Sequence, residues 1–144
     1  MIELLNRGGQ TSIRVTGSSM LPTIWPGDML TVRRQPMSEV RLRDIAMFAR
    51  DGRLFVHRVI DHRGEQVVTQ GDAVPSPDAP VGPSDLLGVV VAVSRNGRAV
   101  GVFAHLTLHA RLIAALVRRS SRLSKILQRI HAVPWRAPAV AKAP

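Results

Sequence analysis

Apolar and polar positions alternate with a period of two through much of the first hundred residues. Residues 10–16 and 28–34 (Asp28-Met29-Leu30-Thr31-Val32-Arg33-Arg34) are predicted short strands, with Pro26-Gly27-Asp28 as a turn signal before the second. Residues 44–50 and 53–61 predict a hairpin, because Asp51-Gly52 between them suits a two-residue turn. Gln66-Val67-Val68-Thr69-Gln70 predicts another strand, and residues 71–85, rich in Pro, Gly and Asp, predict a loop. Leu87 to Val93 is an apolar, β-branched run fit for a buried strand, and Asn96-Gly97 turns the chain into a last strand near 98–103. Many short strands with regular turns predict a mainly β body over residues 1–103 rather than alternating strands and helices.

The period changes after residue 103. Leu106, Leu112, Ile113, Leu116, Leu123, Ile126, Leu127 and Ile130 recur at helical spacing, with Arg111, Arg118, Arg122, Lys125 and Arg129 mostly on the other side. This predicts an amphipathic basic helix over residues 104–131, with Ser120-Ser121 as a candidate break. The prolines and alanines of residues 132–144 predict a disordered tail. There is no run of eighteen apolar residues to read as a transmembrane helix, and the N-terminus does not read as a secretory signal.

Charge sharpens this division. The chain of 144 residues carries a net +10. Residues 1–85 hold all ten acids and ten arginines and so sum to zero; residues 86–144 hold ten basic residues and no acid. The body is neutral and the excess lies in the C-terminal part. A cationic amphipathic helix can lie on an anionic membrane, each basic residue adding about 1 kcal/mol near the surface. The same helix could instead pack on the β body with its arginines in water. Nucleic acid is not an expected partner: there is no helix-turn-helix pattern and few aromatics. Zero cysteines exclude disulfides, and the scattered histidines lack metal-ligand spacing, so no cofactor is expected.

The candidate chemistry rests on Ser19, in Val15-Thr16-Gly17-Ser18-Ser19-Met20-Leu21-Pro22-Thr23, and His57, in Phe55-Val56-His57-Arg58-Val59-Ile60. A serine hydroxyl needs a neighbouring base to become a nucleophile at neutral pH. The first 124 residues contain no lysine, which leaves histidine as the candidate base. Met20 and the Pro22 kink would stiffen the backbone and aim nearby amides at one point, as oxyanion stabilisation requires. His57 lies on the same strand face as Phe55 and Val59, pointing inward; His62 sits in an apparent turn. The plainer alternatives are a serine in a turn and a histidine that only packs.

Gly-x-Ser-Met-x-Pro-Thr, then x-x-Gly-Asp, then Val-His-Arg-Val-Ile, then Gly-Asp, resembles the signal peptidase / LexA-type serine peptidase superfamily over about residues 13–94. In motif the likeness is nearest to the archaeal and endoplasmic-reticulum signal peptidases, which carry histidine where most bacterial members carry lysine. The resemblance implies a small coiled β fold in residues 1–103 as the catalytic domain, with Ser19 as nucleophile and His57 as general base. It also implies acids in the Thr69-Gln70-Gly71-Asp72 loop: Asp78 to orient His57, with Asp72 supporting. Ser18, Met20 and Pro22 are the expected oxyanion and substrate-binding residues. Gly17 stands where bacterial relatives often have serine, and Arg43-Asp44 where a second Gly-Asp is usual. The membrane anchor and large extra β-domain of signal peptidases are not seen.

The implied function is a serine endopeptidase that cleaves a precursor or signal-type peptide after small residues, through an acyl-enzyme. Its partner would be that peptide, its expected location the cytoplasm, with residues 104–131 in peripheral contact with the inner face of the membrane. Self-cleavage is a weaker option, because about ten residues precede the first strand. The alternative from another class is a non-enzymatic binding module of the same fold, recruiting a partner, membrane or nucleic acid through the basic helix.

Overall fold

Residues 9–101 are described by the structure, a computed structural model. Seven strands form one antiparallel sheet: β1 (Gln10–Arg14), β2 (Met29–Arg33), β3 (Ile45–Arg50), β4 (Arg53–Arg63), β5 (Gln66–Gln70), β6 (Leu86–Arg95) and β7 (Arg98–Val100). The strand order is β1-β2-β6-β3-β4-β5, and β7 pairs with β6. The mainly β reading therefore holds, and every expected strand is present. The basic helix expected over 104–131, the tail at 132–144 and the end of the last strand at 102–103 lie outside the described residues. Among the described residues, no helix is long and apolar enough to cross a membrane.

The two tight turns form where the sequence demanded them. Asp51 and Gly52 have φ of 50° and 71°, and Asn96 and Gly97 have 51° and 76°. Positive φ at both central residues is the hairpin geometry that Asp-Gly and Asn-Gly favour. Arg43, at the expected Gly-Asp position, adopts φ 76° despite its side chain.

Alternation along the central strand β3 sends side chains to two apolar clusters. Ile45 and Met47 join Met20, Ile24, Leu30, Val32, Val90 and Val93 on one side. Ala46 and Phe48 join Val40, Val59, Val67, Val81 and Val89 on the other. Each fully buried Leu, Ile, Phe or Met contributes about 1.5–3 kcal/mol relative to exposure. The long β6 pairs with β3 through Leu86–Val89 and with β2 through Val89–Ser94, with a register shift in each pairing.

Two expectations need correction. Asp61-His62-Arg63-Gly64 is not the turn; β4 runs on to Arg63 and pairs with β5, after a register shift between Val59 and Asp61. His62 is an exposed strand residue. β6 is also longer than its apolar stretch, reaching Arg95.

Candidate active site

Ser19 stands in the connection between β1 and β2. That connection is closed at its base by Val15 N–H to Asp28 O (2.9 Å) and Gly27 N–H to Val15 O (2.8 Å). Inside it the chain folds on itself: Thr23 N–H and Ile24 N–H both donate to Met20 O, at 2.9 and 3.0 Å. Met20, Leu21 and Ile24 are buried, so packing anchors the residues directly after Ser19. At that same base, the buried Asp28 carboxylate accepts Trp25 N–H (2.8 Å) and a two-point grip from Arg95, Nε at 2.8 and Nη2 at 2.7 Å. Such forked, charge-assisted bonds fix geometry as well as adding energy.

His57 is central in β4, opposite Ala46 of β3, and only 4% exposed. The rings of Phe48 and Phe55 meet it edge-on, with centroids 6.0 and 5.9 Å away. Its Nε2 lies 3.0 Å from Ser19 Oγ, and its Nδ1 lies 2.6 Å from Asp78 Oδ2. An ionised carboxylate can only accept, so Nδ1 carries the proton that faces Asp78. Nε2 is then free to accept from the Ser19 hydroxyl.

Thr69, fully buried in β5, donates its hydroxyl to the same Asp78 oxygen at 2.7 Å, and Asp78 N–H donates back to Thr69 O at 2.8 Å. Thr69 pairs with Val59 in the β4–β5 ladder, and Val59 and His57 share a face, so strand register alone brings Thr69 and His57 to one carboxylate. Burial opposes ionisation of Asp78. The hydrogen bonds from His57 and Thr69 and the charges of His57 and Arg50 outweigh it, and the carboxyl sits below its ordinary value.

Asp72 occupies a different position from Asp78. Its carboxylate grips Arg58 (Nε and Nη2, each 2.8 Å) and accepts the Thr23 hydroxyl. Arg58 follows His57 on β4 and so faces the other way; Asp72 goes with it and makes no bond to the imidazole. It joins β4, the Gly71-Asp72 turn and the Ser19 connection. Gly71 is required there by close approach. A Cβ on it would stand 2.6 Å from Ser19 O, 2.8 Å from Val74 Cγ2 and 3.1 Å from His57 Nε2. Next to it, Ala73 N–H holds Ser19 O at 2.8 Å.

A groove of about 360 Å³ opens beside Ser19, lined chiefly by apolar residues of two elements: Ile13 and Val15 at and after β1, and Leu54, Phe55 and Val56 of β4. Met20 lines it; Ser18 and Pro22 are not among its lining residues. Pro22 instead gives its carbonyl to Trp25 Nε1 at 2.8 Å. A larger hollow of about 700 Å³, bordered by Arg33, Glu39, Arg41 and Asp44, contains none of the three linked groups. Among the described residues, no buried side-chain nitrogen or oxygen lacks a hydrogen bond, and no group of three or more acids and histidines could hold a metal ion.

The sequence brought out Ser19, His57 and Asp78. It missed Thr69, Thr23, Arg58 and Gly71 as supports, although all four lie within or beside its motifs. No curated protein matches the chain. Residues 3–72 match the family model described as Peptidase S24-like, a span that contains both Ser19 and His57 and ends at Asp72. That match, on a chain with this antiparallel β fold, supports a likeness to the LexA/S24-type serine peptidase superfamily.

Proposed function

We propose that the chain is a serine endopeptidase in which Ser19 is the nucleophile, His57 the general base and Asp78 the acid that orients it. One observation carries the reading: the unbroken line from Ser19 Oγ through both ring nitrogens of His57 to Asp78, at 3.0 and 2.6 Å. Nucleophile, base and orienting group within hydrogen-bond reach is the arrangement that activates a hydroxyl.

The substrate is an extended peptide. Among the described residues, β1 pairs only with β2, and residues 53–57 of β4 pair only with β3, because β5 begins its pairing at Arg58. Both strands thus present an open backbone edge at the groove beside Ser19, which suits strand addition by a peptide. Ser19 Oγ attacks the scissile carbonyl as its proton passes to Nε2. The imidazolium gives that proton to the leaving amine, and the acyl group remains on Ser19. Water, deprotonated by His57, then releases it. Gly17 brings no hydroxyl to the oxyanion, so backbone amides of the Ser19 turn and Ser18 carry that task. The apolar groove lining agrees with a peptide of small or apolar residues, such as the precursor or signal-type segment that the resemblance implies.

The test is reaction with a p-nitrophenyl ester of a short apolar acid. Ser19 Oγ forms the new ester and p-nitrophenolate leaves. The expected result is an acyl adduct on Ser19 in intact and peptide mass spectra, lost in folded Ser19→Ala. Equal nitrophenolate release by wild type and Ser19→Ala would end the reading.

A further inference from the structure

The acid of this site lies in the long loop between β5 and β6, where the flanking residues Pro75, Ser76, Pro77, Ala79 and Pro80 are all exposed. Packing does not fix such a segment, yet the Asp78 carboxylate must be held to tenths of an ångström. Besides His57, two side chains from outside the loop bond to the stretch around Asp78. Thr69 is one. The other is Arg50, the last residue of β3, whose Nη2 donates to both Ala79 O and Pro80 O, each at 2.9 Å.

We propose that Arg50 is a positioning residue for Asp78: by gripping the two carbonyls that follow the acid, it holds the carboxylate against His57 Nδ1. The inference rests on the peptidase reading for its catalytic consequence, but not for its geometry. Arg50 is itself held. Its guanidinium lies over the Phe48 ring, 5.4 Å from the centroid, and Phe48 stacks on Phe55 at 5.5 Å. Both rings meet His57 edge-on. One aromatic group thus seats the base and the cation that fixes the acid. The cation–π contact limits the freedom of the guanidinium before it bonds, which makes its grip more directional than an ammonium's. The groups facing Asp78 are His57 from β4, Thr69 from β5 and Arg50 from β3. Arg50 alone contributes a fixed positive charge, and that charge adds to the lowering of the Asp78 carboxyl.

Arg50→Ala, Arg50→Lys and wild type are compared by ester kinetics and by proton NMR of the His57 Nδ1–H, assigned with His57→Gln. In wild type the Nδ1–H signal is far downfield, from its bond to Asp78. In Arg50→Ala the signal is lost or moves upfield, and kcat falls roughly tenfold with KM nearly unchanged, as misplacement of a catalytic group costs rate before binding. Arg50→Lys, which keeps the charge and a single donor nitrogen without the planar fork, recovers part of both. An unchanged signal in Arg50→Ala overturns the inference, as does an equal fall in Arg50→Lys. Should wild type show no Ser19-dependent turnover while the signal still depends on Arg50, the peptidase reading fails and the positioning role stands. If Arg50→Ala does not fold, the Arg50→Lys and wild-type spectra decide alone: an identical signal and identical kcat in the two overturn it.

Discussion

Ser19 and Asp78 are held by different physics. The Ser19 connection is a packed object: Met20, Leu21 and Ile24 are buried, and its turns bond to themselves. The Asp78 loop has only Gly71, Asp72 and Val81 buried along its fifteen residues from 71 to 85. It is pinned instead at points, by Thr69, by Arg50 and by the Val67–Val81 bridge. A segment held by burial fails by losing stability. One held by a few polar contacts fails by losing geometry while the protein stays folded. Substitutions in the two regions should therefore separate activity from stability.

The sharpest break in activity alone is Asp78→Asn. The amide can still accept from Thr69 but holds the imidazole in no fixed tautomer, so ester turnover should drop by a factor on the order of a thousand, about 4 kcal/mol in the barrier. The thermal midpoint should move far less than for the loss of a buried apolar side chain. Turnover within tenfold of wild type would show that Asp78 does not orient His57.

The counterpart in the Ser19 connection is Leu21→Ala. Leu21 is fully buried and does not line the groove. Emptying its site should cost about 3 kcal/mol of unfolding free energy in denaturant titration. Below the transition, Ser19 should keep most of its reactivity. A stability change under 1 kcal/mol would mean the connection is not anchored by packing, and the contrast would dissolve.

Gly71→Ala tests the seam where the regions meet. The added methyl must displace Ser19 O or Val74, and it crowds His57 Nε2. A shift near 1 Å at the reacting pair costs rate on the order of a hundredfold. The loss should appear in kcat, since the groove wall is untouched. Unaltered kcat would require the loop to yield without moving Ser19.

The same contrast explains what could be read from the sequence. The strands, both hairpin turns and the Ser19 motif are local: a few neighbouring residues set each, and their period or turn chemistry is visible in one window. β4 was underestimated because Asp61-His62-Arg63 is polar and resembles a turn; its register shift next to Val59 lets the ladder continue with those residues in water. The support of the acid is not local. Arg50 and Ala79 are 29 residues apart, and Arg58 and Asp72 are 14 apart. Alternation on β4 decides which aspartate meets His57 and which meets Arg58, and that requires the register of β5 as well as the motif. The resemblance favoured Asp78 over Asp72 as the orienting acid; in the structure Asp78 meets His57, while Asp72 ties three segments together.

The smallest expected effect is in acid, and it concerns the polar pins alone. The Asp78 carboxyl is lowered below its ordinary value in the folded state. An unfolded aspartate titrates near 3.9, so below about pH 4 the unfolded chain binds a proton that the native one resists. The stability that Asp78 contributes is thus complete above the unfolded value and drains away as pH falls through the native one. Asn at this position does not titrate. The stability difference between wild type and Asp78→Asn, followed by denaturant titration, should be flat from pH 7 to about 5 and shrink toward pH 3. Leu21→Ala, which removes only apolar packing, should differ from wild type by the same amount across that range. A difference for Asp78→Asn that stays level or grows on acidification would mean that the carboxylate is not stabilised by its partners, and the loop would then owe its place to backbone contacts alone.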